Sequence, residues 1–341
     1  MTPAVALLMI WAVLAVYSIL MAIDLGAGGF WAYGELGGQP ALTRVVERYA
    51  TPVWESVNGF LILLVLSMEA FFPKSINVYA GVLLVPLGLT FALLSIRQAA
   101  FAMRHAPPNF LGRRARLVNP LLVGGAGLLT PLPAMTFLTV LEGRGFRLFH
   151  GVVQYHLVGL LTNPLTVAFM VLALSAELQM AVVFLTFFAD RMGEEAAWRT
   201  LRRASLVLDL VVAAVAPLAL LVLTREVPTI RPALARETWL WLLSLAGLAC
   251  SFGATALRVR GLLPVVFAAI MYLGGYMALG LAQSPYLIRG FVTVQEAFTS
   301  PAMARALGPT FVIGSLVVVL PSVALVTWYL FRSALDRTGS A

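Results

Sequence analysis

Residues 50–72 read ATPVWESVNGFLILLVLSMEAFF, an apolar run that carries a carboxylate, Glu55, at its start. A helix crosses the ~30 Å hydrocarbon core of a bilayer with about 20 predominantly apolar residues. The run over 53–72 has that length, so it predicts a membrane-spanning helix. An ionisable group in such a helix is costly to bury, and Glu55 therefore needs a structural or a functional explanation.

The composition of the whole chain agrees with a membrane protein. Of the 341 residues, 61% are hydrophobic and 11% are charged, whereas soluble domains contain about 25% charged residues. The formal net charge is +8, but the basic residues lie in short segments between apolar runs. Such residues indicate membrane topology, so we expect no nucleic-acid partner.

Apolar segments of about 18 residues or more predict nine transmembrane helices within one integral membrane domain, residues 1–341. The fold class is therefore an all-α polytopic membrane protein, and we expect two four-helix bundles plus one peripheral helix. The first segment lacks a preceding basic residue and a cleavage site, so it is predicted to be a mature helix and not a secretion signal. The predicted spans are 3–30, 53–72, 77–104, 117–141, 157–189, 204–224, 238–257, 262–283 and 309–331.

The arginines and lysines predict the orientation, because cytoplasmic loops are enriched in them. An outside N-terminus places 14 of the 23 basic residues in inner loops and eight in outer loops, with Arg97 inside a span. This distribution favours an N-out, C-in topology. The longest outer connection, 284–308, is rich in aromatic and apolar residues, which suits a re-entrant or interfacial segment.

The polar residues inside the spans are the candidate functional groups, because an ionisable group in hydrocarbon marks a pathway or a partner. Asp24 is followed by Gly26, Gly28 and Gly29, which remove side-chain bulk over nearly one helical turn. A second helix, a lipid quinone or another subunit could approach closely there. Alternatively, the glycines serve helix packing alone, and Asp24 pairs with an arginine near the membrane face.

Two interpretations of Glu55 follow from the residues around it. Glu55 comes directly after Trp54, and Asn58 lies three residues later, so Glu55 and Asn58 share one face of a helix. A carboxylate at a helix N-terminus interacts favourably with the helix dipole, which is a structural explanation. A partly buried carboxylate can also load and release protons, which is a functional one. The residues alone do not distinguish the two.

Arg97 and Arg104 are seven residues apart and lie on the same side of the third predicted helix. We expect Arg104 to extend to the lipid headgroups. Arg97 lies about two turns deeper, so we expect an ion pair with a carboxylate of a neighbouring helix, such as Glu55.

Two further carboxylates lie within predicted spans. Glu177 is central in the fifth span, where it could line a polar cavity with Ser175 and Gln179 or form hydrogen bonds across a subunit interface. Asp209 lies about one turn into the sixth predicted helix, and such a position is typical of a helix-end charge.

Histidines are scarce and poorly placed for cofactor ligation. His105 lies in a basic inner loop, and His150 and His156 flank the start of the fifth span. His150 and His156 are six residues apart, so one helix face cannot offer both to a metal. We therefore predict neither a metal site nor haem ligation by this chain. The sequence contains no phosphate-binding glycine loop and no nucleophile motif, and we expect no catalytic residue in it.

Four stretches together resemble subunit II of the cytochrome bd-type terminal oxidases. Two are similar to the family's Asp-Leu-Gly-x-Gly signature and its Pro-Val-Trp-Asp/Glu element. A third is similar to its Arg-x-x-x-Phe-x-x-Arg pattern, and the fourth to its final loop and helix. The stretches are IDLGAGGF (23–30), ERYATPVWESVNGFLI (47–62), LLSIRQAAFAMR (93–104), and SPYLIRGFVTVQEAF (284–298) followed by VVVLPSVALVTWYLFR (317–332).

The resemblance implies a heterodimer in a bacterial or archaeal cytoplasmic (inner) membrane. Its partner would be a haem-bearing subunit I with haem b and haem d, or haem b alone. The complex would oxidise quinol and reduce O₂ to water with protons from the cytoplasm. In this family subunit II ligates no haem, but membrane lipids or a quinone are often bound to it, and a small accessory subunit can be present.

The resemblance also implies roles for individual residues. Glu55 becomes the candidate for proton uptake, with Trp54 shaping its pocket and Asn58 beside it, while Asp24 and Arg97 become supporting polar groups. Arg104, in the third stretch, is a further supporting polar group, and Glu177 is added to this set for its central position in the fifth span, with no family motif behind it. The chain departs from many family members at Met21, where they carry an acidic residue, and within ESVNGF (55–60), which lacks one carboxylate of their cluster.

Two other classes of protein remain open from the residues alone. Intramembrane acids and an arginine in proline-containing helices also suit an ion-coupled secondary transporter. Many transporters contain an internal repeat, and residues 1–150 show no convincing similarity to residues 151–341. The third possibility is a purely structural membrane subunit, whose polar residues hold an interface.

Overall fold

A computed structural model of the chain describes residues 2–103, 113–150, 152–314, 316, 317 and 321. Within these ranges, the side chains of residues 49–59, 113–117, 148 and 152 lie outside the description. The fold is mostly helical, as predicted.

Seven helical segments within the described residues are long and apolar enough to cross a membrane. Five are the single helices α1 (Pro3–Leu36), α3 (Pro73–Met103), α8 (Pro164–Met192), α11 (Thr238–Ala256) and α12 (Leu263–Gln283). The sixth is α9 (Glu195–Glu226), and the seventh runs over Val118–Leu141.

The two remaining predicted spans are described only in part. The span at 53–72 falls in helix α2, Pro40–Phe71, whose apolar portion with described side chains is Phe60–Phe71. The span at 309–331 begins in the helical residues 301–314, which form α14, and most of it lies outside the described residues. The count of nine spans therefore stays a prediction.

Two predicted spans are divided into shorter helices, although Val118–Leu141 as a whole is long and apolar enough to cross a membrane. Residues 117–141 fall in three helices, α4 (Arg113–Leu129), α5 (Pro131–Ala134) and α6 (Thr136–Leu141). Residues 157–189 divide into α7 (Leu157–Leu161) and α8. Proline lacks the N–H that continues the helical ladder, but it is tolerated in a first turn. Pro131 and Pro164 therefore stand at the first positions of α5 and α8.

Several helices extend beyond the apolar runs that predicted them. Helix α9 begins at Glu195, nine residues before the predicted start at 204. Charged residues such as Glu and Arg are good helix formers, so a helix continues past the membrane boundary that hydrophobicity detects. This extension places Asp209 about four turns into α9, whereas the sequence predicted a helix-end charge.

The connections depart from the all-α prediction in two places. Strands β1 (Phe146–Phe149) and β2 (Val152–Tyr155) form an antiparallel hairpin, with Phe146 opposite Tyr155. A second, smaller hairpin pairs β3 (Tyr286–Ile288) with β4 (Val292–Thr293), and the short helix α13 (Val294–Ala297) follows. Both lie in connections outside the candidate spans, where side-chain alternation can bury one face against the helix ends. The connection 284–308, predicted to be re-entrant or interfacial, therefore contains a hairpin and a short helix.

Helix α1 is the centre of the described packing. It contacts α2, α4, α8 and α12, while α8 packs on α9 and α11 packs on α12. A core at the ends of α8 and α9 includes the buried aromatic residues Trp31, Phe188 and Trp198. Nearer the opposite helix ends, Phe71, Phe72 and Tyr79 pack against the second hairpin, to which Tyr79 donates a hydrogen bond at the Leu287 carbonyl (3.0 Å).

Arg289 anchors the second hairpin to the end of α6. Its Nε donates to Glu142 Oε2 at 2.7 Å, its Nη2 donates to the Ala282 carbonyl at 3.1 Å, and its backbone N–H donates to the Leu141 carbonyl at 2.8 Å. The side chains of Arg289 and Glu142 are 11% and 8% exposed. Burial raises the pKa of Glu142 above its usual value, although Arg289 acts in the opposite direction.

Replacing Arg289 with methionine is expected to loosen the segment 284–300 while the helices stay folded. The substitution leaves Glu142 buried without its ionic partner, which costs about 1–3 kcal/mol for a charged hydrogen bond. Limited proteolysis of the purified protein should show faster cleavage within 284–300. The matched control is Arg305→Met, because Arg305 is exposed and its Nε makes one long hydrogen bond of 3.4 Å to the Pro301 carbonyl. Equal cleavage in both variants would contradict the anchoring role.

Candidate functional site

Asp24 and Arg97 form a buried ion pair between α1 and α3. Arg97 Nη1 donates to Asp24 Oδ2 at 2.9 Å, and Nη2 donates to Oδ1 at 3.0 Å and to the Asp24 carbonyl at 2.9 Å. The side chains are 5% and 4% exposed. This two-pronged geometry is the strongest that arginine makes with a carboxylate. The structure thus pairs Asp24 with an arginine and Arg97 with a carboxylate of another helix, as predicted, and the suggested partner Glu55 has a side chain outside the described ones.

Glycines on two helices provide the room for the Arg97 side chain. A Cβ at Gly127 of α4 would lie 3.4 Å from Arg97 Nε, and a Cβ at Gly28 of α1 would lie 3.7 Å from the same atom. The guanidinium therefore lies between the backbones of α1 and α4. The close approach predicted from the glycines after Asp24 is confirmed, and the groups that approach are helices of the same chain.

Gly26 marks the tightest crossing of this region, where α1 meets α8. A Cβ at this position would lie 2.6 Å from Ala181 Cβ and 2.8 Å from the Glu177 carbonyl oxygen. Real Cβ atoms do not approach other atoms so closely, so the crossing requires glycine. It also fixes the height of α8 relative to α1, and with it the position of Glu177 near the Asp24–Arg97 pair.

Glu177 is a buried carboxyl group without a hydrogen-bond partner. The residue is 3% exposed, and neither carboxyl oxygen has a partner among the described residues. The predicted polar cavity with Ser175 and Gln179 is wrong, because Ser175 donates to the Val171 carbonyl (2.7 Å) and Gln179 pairs elsewhere. A hydrogen bond across a subunit interface would require the side chain to leave its buried position.

Tyrosines of α12 border the same region. Tyr272 donates a hydrogen bond to the Ala176 carbonyl, one residue before Glu177, and Tyr276 bonds with Ser18 of α1. Tyr272 is 8% exposed. The side chains of Asp24, Arg97 and Glu177 thus lie among five helices, α1, α3, α4, α8 and α12, with hydroxyl groups at the edge of the cluster.

A second polar cluster lies between α8 and α9, and the sequence did not predict it. Gln179 Nε2 donates to Asp209 Oδ1 at 2.7 Å, and the two residues are 0% and 1% exposed. Asp209 is therefore an interior group. The spacing of Ser205 and Asp209 puts both on one face of α9 and could have indicated a polar cluster. How deep Asp209 lies in the helix depends on the helix start at Glu195, which the structure shows.

The predicted proton-uptake group falls outside the described side chains. Trp54, Glu55 and Asn58 belong to helix α2, and their side chains are among those not described. Arg104 lies outside the described residues altogether. The predictions for these four residues therefore stay predictions.

The two described histidines lie in the connection between α6 and α8. His150 occupies the turn of the first hairpin with φ of 47°, and His156 caps α7 by accepting a hydrogen bond from the Gly159 N–H (3.3 Å). Within the described ranges, no group of three or more His, Cys, Asp and Glu side chains is arranged to hold a metal ion.

Comparisons with known proteins agree on one family. Residues 2–332 match the family described as cytochrome bd terminal oxidase subunit II. A Bacillus subtilis (strain 168) protein assigned as a cytochrome bd menaquinol oxidase subunit II is 26% identical over 334 residues, which cover 92% of this chain and 91% of that protein.

A solved structure gives the same result for the fold. The chain superposes on a chain of the bd oxidase from Geobacillus thermodenitrificans with a TM-score of 0.82 and 28% identity, covering 97% of this chain and 99% of the other. The similarity therefore extends over essentially the whole of both chains, including the region that holds Asp24, Arg97 and Glu177.

Proposed function

Because the chain belongs to the cytochrome bd terminal oxidase subunit II family, we propose that it stabilises a haem-bearing subunit I and contributes to proton uptake by the complex. The chain is a subunit of a quinol oxidase complex, an oxidoreductase of the respiratory chain. The match over residues 2–332 is the observation that carries the proposal. The comparisons give no support to the alternative of an ion-coupled transporter.

In this proposal the chain ligates no haem, and subunit I holds haem b together with haem d or a further haem b. Quinol is oxidised on the outer side, and O₂ is reduced to water with protons from the cytoplasm. The name of the Bacillus subtilis relative makes menaquinol the first substrate to test for the complex. The proposed location is the inner membrane, with nine spans, an outside N-terminus, and two four-helix bundles plus one peripheral helix.

The described geometry supports a stabilising role. Two of the stretches that resemble the family, 23–30 and 93–104, meet in the Asp24–Arg97 pair. The pair joins α1 to α3 and lies buried inside the chain. We therefore assign Asp24 and Arg97 to the rigidity of the subunit, and proton uptake to Glu55.

Purification tests the assembly. Affinity purification of the chain from its native membrane in mild detergent should recover a second polytopic protein together with haem bands in the reduced-minus-oxidised spectrum. The same sample would show whether a small accessory subunit, a quinone or lipids accompany the pair. A colourless chain without a partner, under conditions that preserve other membrane complexes, would overturn the proposal.

Glu55→Gln tests the proton-uptake role. Glutamine is nearly isosteric with glutamate but cannot carry a proton, so turnover should fall about tenfold, equivalent to ~1.4 kcal/mol, while assembly and haem content stay unchanged. Oxygen consumption with excess quinol measures the effect. Glu47→Gln is the matched control in the same helix. Unchanged turnover in Glu55→Gln would remove Glu55 from the proton path and favour the helix-dipole explanation.

A further inference from the structure

The cluster around Asp209 contains four oxygen atoms that lack hydrogen-bond partners among the described residues. They are Gln179 Oε1, Asp209 Oδ2, Ser205 Oγ and Ser251 Oγ. Each of the four residues is at most 1% exposed. A buried polar atom left without a partner costs about 1–3 kcal/mol, so four such atoms in one region indicate a bound species that satisfies them.

Helix register places these atoms close together. Arg202 of α9 donates to the carbonyls of Thr255 and Ala256 of α11, at 2.8 and 2.9 Å. Helices α9 and α11 run in opposite directions. Ser205 lies about one turn after Arg202 in α9, and Ser251 lies about one turn before Thr255 in α11, so the two serines lie at the same level. Ser205 is also one turn before Asp209 on the same face of α9. Asp209 in turn bonds with Gln179 of α8, so three helices contribute to one cluster.

A crevice opens at the ends of the same helices, and none of the four cluster residues lines it. Its lining includes Val183, Arg202 and Thr255, each of which is one turn from a member of the cluster. The other side of its lining is polar as well, with Asp190 and Arg260 joined in an ion pair of 2.9 Å. The volume open to the centre of a water molecule is about 10 Å³, which corresponds to about one water molecule.

Charge balance limits what the cluster can bind. Asp209 is the one ionisable member, and its hydrogen-bond partner among the described residues is the neutral amide of Gln179. Arg202 lies about one turn before Ser205 in α9, and it donates hydrogen bonds to two carbonyls at the end of α11. An isolated negative charge inside a membrane protein is expensive, so the bound species must bring one positive charge.

We propose that Asp209, Gln179, Ser205 and Ser251 form an internal proton-binding site that exchanges with water through the crevice between α8, α9 and α11. The proton comes from a hydronium ion at the crevice, binds to Asp209 Oδ2, and leaves by the same route, so the site is neutral when it is loaded. The site stores a proton inside the subunit.

Assigning the crevice to the cytoplasmic side rests on the proposed function and its N-out topology. With that topology, the start of α9 and the end of α11 face the cytoplasm, so the site loads from the phase that supplies protons for O₂ reduction. Helix α8 separates this site from Glu177, because positions 177 and 179 lie on opposite faces of a helix. The two buried carboxyl groups are therefore independent.

Hydrogen–deuterium exchange followed by infrared spectroscopy of the purified complex tests the site. A protonated carboxyl group gives a carbonyl-stretch band that shifts when its proton is exchanged for deuterium. The wild type should show such a band, and Asp209→Asn should lose it. Ser175→Ala should retain it, because Ser175 is a buried serine of α8 whose hydroxyl is satisfied by its own helix. Replacing Ser205 or Ser251 with alanine should slow the exchange.

If Asp209→Asn fails to assemble, Asp209→Glu is the second variant, because it keeps a carboxyl group at the site and should shift the band without removing it. Absence of an aspartate-dependent band would overturn the proposal. The proposal would also be overturned if NaCl raised the melting temperature more than KCl at equal concentration and Asp209→Asn abolished this difference. Sodium, and not a proton, would then neutralise Asp209. Haem content and turnover, measured on the same samples, report separately on the proposed function.

Discussion

Arg97→Met is expected to destabilise the folded chain by about 3–5 kcal/mol, because it leaves the Asp24 carboxylate buried without its ionic partner. The side chains of the pair are 5% and 4% exposed, so water cannot replace the lost guanidinium without opening the contact between α1 and α3. A loss of this size should lower the melting temperature of the purified protein by roughly 10 °C. Thermal unfolding in detergent, followed by gel filtration, measures it.

Two further variants separate burial from loss of charge. Arg199→Met removes an exposed ion-pair partner of Glu195. The side chains of Arg199 and Glu195 are 69% and 44% exposed, and such pairs contribute at most about 1 kcal/mol. The double variant Asp24→Leu/Arg97→Met removes both buried charges and should recover most of the lost stability. If Arg97→Met melts together with Arg199→Met, the buried pair does not stabilise the fold.

Gly26→Ala is expected to destabilise the crossing of α1 and α8 by about 1–3 kcal/mol, which is the usual cost of overpacking. The added Cβ would lie 2.6 Å from Ala181 Cβ and 2.8 Å from the Glu177 carbonyl oxygen, so the two helices must separate. Because α8 also carries Glu177 and Gln179, this separation should disturb the polar groups on both of its faces. The melting temperature of the purified protein measures the loss.

The control for Gly26→Ala is Gly125→Ala. A Cβ at Gly125 of α4 meets no described atom within 4 Å, and alanine is the better helix former by about 1 kcal/mol. Gly125→Ala should therefore be neutral or slightly stabilising. Adding Ala181→Gly to Gly26→Ala should restore part of the stability, since it removes one of the two clashes and leaves the carbonyl in place. Equal melting of Gly26→Ala and Gly125→Ala would show that the crossing has room for a methyl group.

The two polar clusters lie on opposite faces of α8 and differ in how their carboxyl groups are paired. On one face of α8, Glu177 lies near the Asp24–Arg97 pair, and on the other face Gln179 binds Asp209. The first cluster contains a complete ion pair and connects helices rigidly. The second contains no arginine in its hydrogen bonds among the described residues, since Asp209 is bonded to the neutral amide of Gln179, and it is the cluster that we propose to bind a proton.

The amino-acid sequence determined the class of protein and the segments that cross the membrane. Runs such as 262–283 predicted a helix within one residue of its observed start, Leu263, because the hydrocarbon thickness sets a length that hydrophobicity reveals directly. The resemblance in four stretches predicted the family, and the comparisons confirmed it. Sequence also singled out Asp24 and Arg97, since charges inside apolar runs are rare enough to be informative.

Only the tertiary structure decided which polar groups meet. Sequence spacing relates residues on one helix, but the partner of Arg97 depends on the packing of α1 and α3 against α4. The burial of Asp209 depends on where α9 begins and which helices cover it. Packing likewise decides which prolines interrupt a helix, since Pro131 and Pro164 begin new helices whereas Pro86, Pro120 and Pro217 lie inside continuous ones. Contacts between distant segments depend on how the helices pack, and the hydrophobicity pattern along the chain does not specify that packing.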